Sequence, residues 1–366
     1  MKIMLPEALR NVEKCRHLSL QDWDILIPQA RSCGLLASLA LLLQERDMLQ
    51  EVPYQVRRHL ESALCVAKKQ SQSLSYELRW LKRAFGEADI PLVLLKGAAY
   101  ITAGIPAGQG RLISDIDLLV PKSQLLLAED SLTKAGWSPG IKSAYDEYYY
   151  RKWMHEIPPM AHQHRESTLD VHHTLLPPTT GSQLDPEKLF RSLRPVGEGV
   201  FVLSPVDMVL HSAAHLFHEG EFHNGMRDLF DLNRLVRHFA DTEQGFWAAL
   251  VARAFELDLA RSLYYAIRFM RHYFDTPVPA DAVTDIGAAA PRLPRVMDYL
   301  FKRGLAPRHP SCTLPLTSIG HQILYLRSHY LRMPLYLLLP HLIIKAWMTR
   351  VRIPELKMTK SDETAP

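Results

Sequence analysis

The residues best placed to do chemistry are acids. Asp115 and Asp117 flank Ile116 at the head of an apolar run, Ile116 to Val120, entered through Ser114 and closed by Pro121. In an extended strand alternate side chains face the same side, so the two carboxylates project together while Ile116 enters the core. Paired carboxylates repel each other unless a cation sits between them. Magnesium, held by one or two carboxylates plus substrate phosphates, is the usual solution. A third acid, Asp170, lies in Thr168-Leu169-Asp170-Val171-His172 with His172 on its own face. If the two strands are neighbours, three carboxylates converge, an arrangement that suits two divalent ions and phosphoryl chemistry.

Upstream, Leu94-Leu95-Lys96-Gly97-Ala98-Ala99 places a glycine and small residues directly after a branched apolar run, Ile90 to Leu95. Backbone amides at such a turn can approach a triphosphate with no side chain in the way. Arg111, four residues before Asp115, is a fixed charge for the same phosphates, and Lys96 is a second candidate. His172 is placed to orient Asp170 or a phosphate. Other histidines, His162 and His164, share a strand face and with His172 offer a lesser zinc alternative. His211 and His215, one turn apart, and Arg227, Asp228 and Asp231 read more simply as structural helix-face groups.

Lys96-Gly97-Ala98, then Arg111-x-x-x-Asp115-x-Asp117-Leu118-Leu119-Val120, then Asp170-x-His172 resemble the nucleotidyltransferase branch of the DNA polymerase beta-like superfamily. Its pattern is a hydrophobic-Gly-Ser/Gly turn, an Asp-x-Asp strand and a later third Asp. The resemblance extends from the N-terminal helices to about Asp231, taking in His215, Arg227 and Asp228. It implies in-line transfer of a nucleoside monophosphate from a nucleoside triphosphate, ATP foremost, to an acceptor hydroxyl, with pyrophosphate leaving. Asp115 and Asp117 would hold two magnesium or manganese ions, and Asp170 would hold the catalytic one and help deprotonate the acceptor. Lys96, Gly97, Ala98, Arg111 and His172 would face the nucleotide. Ala98 stands where many members carry Ser or Gly. Gly97 and Asp115 are eighteen positions apart, and Gly104, Pro106, Gly108 and Gly110 between them read as a flexible loop that closes over substrate. Two rivals stay open: an inactive protein of the same fold that binds a nucleotide or a partner, and a transferase of the gamma phosphate.

The chain reads as an α+β protein, and the resemblance implies a mixed-sheet nucleotidyltransferase core between its two helical regions. Val56, Leu60, Leu64, Ala67, Leu74, Leu78 and Leu81 recur at helical spacings, so residues 1–88 read as an N-terminal helical domain. The core takes 89–203, including a helix from Ser123 to about Ala135 and a hairpin of Met160 to Arg165 with Thr168 to Leu175. Ser204-Pro205 opens a C-terminal helical domain, 204–352, and 353–366 is a polar tail.

With 366 residues and 47% hydrophobic content the chain can bury several cores, which excludes a disordered or fibrous protein. Its four cysteines, Cys15, Cys33, Cys65 and Cys312, have neither the number nor the spacing for a disulfide framework, so a reducing, cytoplasmic setting is expected. The charges in Met1 to Leu20 interrupt any signal-like apolar stretch. The formal charge is +4, yet Tyr299 to Pro354 holds eight basic residues and no acid. There Leu331, Leu335, Leu338, Leu339, Leu342 and Ile343 read as a buried face, with Arg327, Arg332, Lys345 and Arg350 as its solvated edge. Peripheral membrane contact and an anionic acceptor such as RNA are the alternatives, nucleic acid being less favoured.

Overall fold

The protein is described by a computed structural model covering residues 2–140, 143–182, 184–218 and 222–351, the side chains of 346 and 349–351 apart. The first helices follow directly from local signals. Ser19 and Asp22 form a reciprocal capping box at the start of the helix Leu20–Ser32, with Asp22 N donating to Ser19 Oγ at 3.2 Å and Ser19 N to Asp22 Oδ2 at 3.0 Å. The 33-residue helix Tyr54–Gly86 buries Val56, Leu60, Ala67, Leu74, Leu81 and Phe85, a single stripe at intervals of four and seven. Leu64 and Leu78 sit half-buried at the stripe's margin.

At Ile90 the period shifts from helical to extended. Among the described residues seven short strands follow: β1 Leu92–Leu94, β2 Ile116–Leu119, β3 Trp137–Pro139, β4 Met160–His162, β5 Thr168–His172, β6 Arg194–Gly197 and β7 Val200–Val202. They form one mixed sheet in the order β3-β4-β5-β2-β1-β7-β6. β2 runs parallel to β5 and β1 parallel to β7, while the remaining neighbours are antiparallel. The expected hairpin is present as β4 and β5, each shorter than its apolar run. Its turn is anchored to the long helix by Glu77, a buried carboxylate that accepts from Ser167 Oγ at 2.8 Å and lies 2.7 Å from Arg165 Nε. The helix after β2 spans Leu125–Lys134, and a 3-10 turn over Lys122–Gln124 occupies the place expected for a Ser123 cap.

From Ser204 the chain is helical again. Ser204 Oγ accepts from Asp207 N at 3.3 Å and so caps the helix Pro205–His218, whose Leu210, Ala213 and Ala214 are buried. Helices Gly225–Thr242, Ala260–Phe274, Pro294–Gly304 and Thr317–Arg332 pack around it, with Phe217 edge-on to Phe301 at 5.2 Å. Buried side chains from Leu5 to Leu324 form one contiguous hydrophobic cluster that joins both helical regions to the sheet.

Two expectations are corrected. The segment carrying Gly104, Gly108 and Gly110 is packed, not a loop free to close. A Cβ on Gly108 would stand 2.6 Å from Ile101 N and from Tyr100 C and O, and one on Gly110 would stand 2.9 Å from Leu41 Cδ1 and Ser38 N. These glycines let the backbone approach two helices closely. The apolar face expected of the C-terminal segment is only partly covered, with Leu338 buried and Leu331 and Leu342 half-buried. Leu338 is 5% exposed, but Tyr336, Ile343 and Trp347 are 74%, 69% and 65% exposed, as are Leu335 and Leu339 in large part. Its cations turn inward instead: Arg332 is buried, Arg327 donates to Phe217 O at 2.8 Å, and Lys345 is paired with Asp146. Arg352 and the polar tail lie outside the described residues, as does the side chain of Arg350. No single helix among the described residues is long and apolar enough to cross a membrane.

Because the neighbours of Gly108 are backbone atoms that cannot rotate away, Gly108→Ala is expected to destabilise the fold by about 1–3 kcal/mol. Thermal unfolding followed by circular dichroism would show this as a lowered midpoint; an unchanged midpoint would mean that the segment is loosely packed.

Candidate active site

The site is built where β1, β2 and β5 meet. β2 and β5 run parallel with Asp117 opposite Asp170, Ile116 opposite Leu169 and Leu118 opposite Val171. Alternation sends the apolar members into the core and both acids to the opposite face. Asp115 lies one residue before β2, accepts from Ser114 Oγ at 2.8 Å, and lines the same cavity of about 560 Å³ as Asp117 and Asp170. The structure therefore brings the three sequence-selected acids to one place.

Asp117 is the buried centre of the group. Its Oδ1 accepts from Lys96 Nζ at 2.8 Å and from His172 Nε2 at 3.0 Å, while its backbone carbonyl accepts from Leu95 N at 2.9 Å. Burial opposes its charge, but the Lys96 ammonium and His172 outweigh burial and hold the carboxyl well below the usual range. Lys96 begins the helix Lys96–Thr102 with φ of +46°, a left-handed conformation that a lysine adopts only under constraint. Asp170 behaves oppositely: burial, then the charges of Asp117, Glu156 and Asp115, push it up to about 7 against the pull of His172. Two carboxylates one strand apart are thus driven in opposite directions from the ordinary carboxylate value.

The residues expected to face the nucleotide divide. Lys96, Gly97, Arg111 and His172 line the cavity. Ala98 is buried in the core and is not among the lining residues. Arg111 is held as well as placed: its Nε donates to Asp231 Oδ2 at 2.6 Å, and its Nη1 to Leu112 O at 2.7 Å. Arg227 similarly donates to Asp228 Oδ1 at 3.0 Å, so the expected ion-pair set exists and also forms one wall of the cavity. His162 is not brought to His172: its Nδ1 accepts from His164 N at 3.1 Å and Arg165 N at 3.2 Å, and its ring stands edge-on to Trp137. That removes the zinc arrangement imagined for His162, His164 and His172. Burial drives His211, beside His172, well below the ordinary histidine range.

Sequence reasoning missed His155, Glu156, Tyr149 and Tyr150, which complete the cavity near Asp170. Glu156 forms an isolated antiparallel bridge with His172 that no spacing in the chain announces. It also missed the inward turn of Arg332 and Lys345, which form the far wall with His341. His341 stacks on Tyr149 with ring centroids 4.5 Å apart.

A family model described as an uncharacterised nucleotidyltransferase matches residues 19–275, and the chain belongs to that family. The match includes β1, β2, β5 and all three acids, whereas Arg332, His341 and Lys345 lie beyond it. No curated protein and no solved structure matches the chain.

The opposed carboxyls set a pH test. An unfolded Asp titrates near 4, whereas folded Asp170 titrates at about 7. The folded state then binds the extra proton across that window, and this contribution to stability is lost as pH rises from about 4 to 7. At pH 8 without added metal, Asp170→Asn is expected to unfold roughly 2–5 °C above the unsubstituted protein, with the gap closing near pH 4. A variant that melts at or below the parent at pH 8 would show that the carboxylate is not crowded.

Proposed function

As a reading of this nucleotidyltransferase site, we propose that the protein transfers a nucleoside monophosphate from a nucleoside triphosphate, ATP foremost, to an acceptor hydroxyl. The observation that carries the proposal is the register of Asp117 with Asp170 across two parallel strands, with Asp115 two residues before Asp117. The donor set fits magnesium or manganese, since it is three carboxylates, and Asp170 is raised first by burial and then by neighbouring negative charges that a divalent cation would offset. Asp115, Asp117 and Asp170 would hold the ions, whose charge supplies stabilisation of the phosphoryl group and of the leaving pyrophosphate.

The chain's own groups do the rest. Gly97 presents backbone without a side chain where β1 turns into the following helix, which suits a triphosphate, and Ala98 contributes only through its backbone. Arg111 sits beside Gly97, with its guanidinium 3.7 Å from where a Cβ would stand, and its pair with Asp231 fixes that charge before substrate arrives. Lys96 offsets the buried charge of Asp117, and His172 orients that carboxylate. The Asp170 carboxylate would take the acceptor's proton. The hydroxyl oxygen attacks the alpha phosphorus as the bond to the bridging oxygen of pyrophosphate breaks.

The Lys96–Asp117 pair would equally suit an inactive nucleotide-binding relative, because it already offsets one of the acids. Purified protein incubated with alpha-labelled ATP, magnesium and cell extract is expected to label an acceptor and release pyrophosphate. Asp115→Asn and Asp117→Asn should each lower that rate at least about 100-fold. Transfer of gamma label instead would reassign the reaction, and magnesium-dependent ATP binding that persists in Asp117→Ala with no transfer in the parent would favour the inactive relative.

A further inference from the structure

Beside the three acids lies a second group of donors of different chemistry. The segment after the helix Ala144–Trp153 runs against β5, fixed by Ile157 N donating to Val171 O at 3.0 Å and His173 N donating to His155 O at 2.8 Å. The bridge between Glu156 and His172 sets those side chains together, and one ligand atom each from His155, Glu156 and His172 lies within 4.8 Å of the others. All three residues line the cavity.

His172 supplies the decisive observation. Its Nε2 donates to Asp117 Oδ1 at 3.0 Å, so in a neutral ring Nδ1 carries a lone pair rather than a hydrogen. That Nδ1 is buried, has no hydrogen-bond partner and faces Glu156 Oε2 at 3.5 Å. A lone pair buried away from water and a carboxylate oxygen facing it repel, and a shared cation removes the repulsion. The cation is either a proton on Nδ1 or a metal ion.

We propose that His155, Glu156 and His172 bind a transition-metal dication of the zinc class, at a site separate from the three aspartates. Two imidazoles and one carboxylate suit zinc or cobalt, whereas magnesium prefers oxygen alone. Asp117 then plays the outer role that carboxylates take on metal-bound histidines, fixing the ring's tautomer and orientation. Three protein ligands leave a position for water or for an anionic group of a bound molecule. The ion also ties the segment around Glu156 to β5, and through His172 it holds Asp117 in place. This site does not depend on the transfer reaction, and it has a readout of its own.

The test uses the full chain, stripped with a chelator and then kept in excess magnesium so that the aspartates are occupied. Zinc is added, the protein is dialysed, and retained zinc is measured by mass spectrometry. Cobalt is titrated in parallel, because four-coordinate cobalt absorbs visible light far more strongly than the six-coordinate aquated ion. One retained zinc per chain, with strong cobalt absorption, is expected. Both should be lost in His155→Ala and weakened at least about 100-fold in Glu156→Gln, whose shape is nearly unchanged. Both should be kept in Asp115→Asn. Absence of retained zinc in the parent, retention equal to the parent's in both variants, or equal loss in Asp115→Asn would overturn the proposal, the first leaving a proton as the shared cation. Circular dichroism of each variant confirms that the fold is intact before metal is added.

Discussion

The site depends on a single buried carboxylate being held charged. Removing an ion from water costs several kcal/mol in a real protein, and the cost is offset only where partners are placed with good geometry. Asp117 has such partners: an ammonium from Lys96, a ring nitrogen from His172 and a sheet register that fixes its backbone. Each partner comes from a different element, so the one charge ties the start of the helix Lys96–Thr102 to β2 and β5. The left-handed backbone at Lys96 is the local strain this convergence requires.

The same register divides labour between faces. On one side of β2 and β5, Ile116, Leu118, Leu169 and Val171 join the core, which makes the strands rigid. On the other, Asp117 and Asp170 compete: Lys96 and His172 hold Asp117 charged, while burial and then the charge of Asp117 raise Asp170. A divalent ion or an incoming hydroxyl would meet one carboxylate fixed as an anion and another poised near neutrality. The wall opposite is cationic and aromatic, and Arg332, His341 and Lys345 reach it from helices beyond the family-matched segment. The family-matched residues thus carry the acids, and the C-terminal helices complete the cavity.

Much of this was legible in the chain. Period-two alternation was enough to put Asp170 with His172 and Asp117 opposite the core-facing Ile116, because successive strand residues take opposite faces, and Asp115, one residue before β2, lines the same cavity. Lys96-Gly97 after an apolar run located the turn. What alternation cannot supply is the partner of each charge, since pairing is set by tertiary packing. Arg111 therefore read as a fixed charge for phosphate, with a pairing acid as the alternative, but nothing in the chain pointed to Asp231, 120 residues away, as that acid. Glu156 was invisible because its link to His172 is one isolated bridge with no pattern around it. The glycines at 108 and 110 read as freedom but serve close approach, which sequence cannot distinguish from flexibility, while Gly104 is exposed with a left-handed φ of +66°. The C-terminal leucines misled because helical spacing marks an apolar stripe without saying whether anything covers it.

The central claim is that Asp115, Asp117 and Asp170 together form one site for divalent metal. Titrating the protein with manganese in the presence of ATP, and reading bound ion from the loss of the free-ion electron paramagnetic resonance signal, addresses it most directly. Tight binding in the parent that falls sharply in both Asp117→Asn and Asp170→Asn is the predicted result. Binding that is absent from the parent, or that survives in Asp170→Asn undiminished, would mean that the two strands do not build a common metal site.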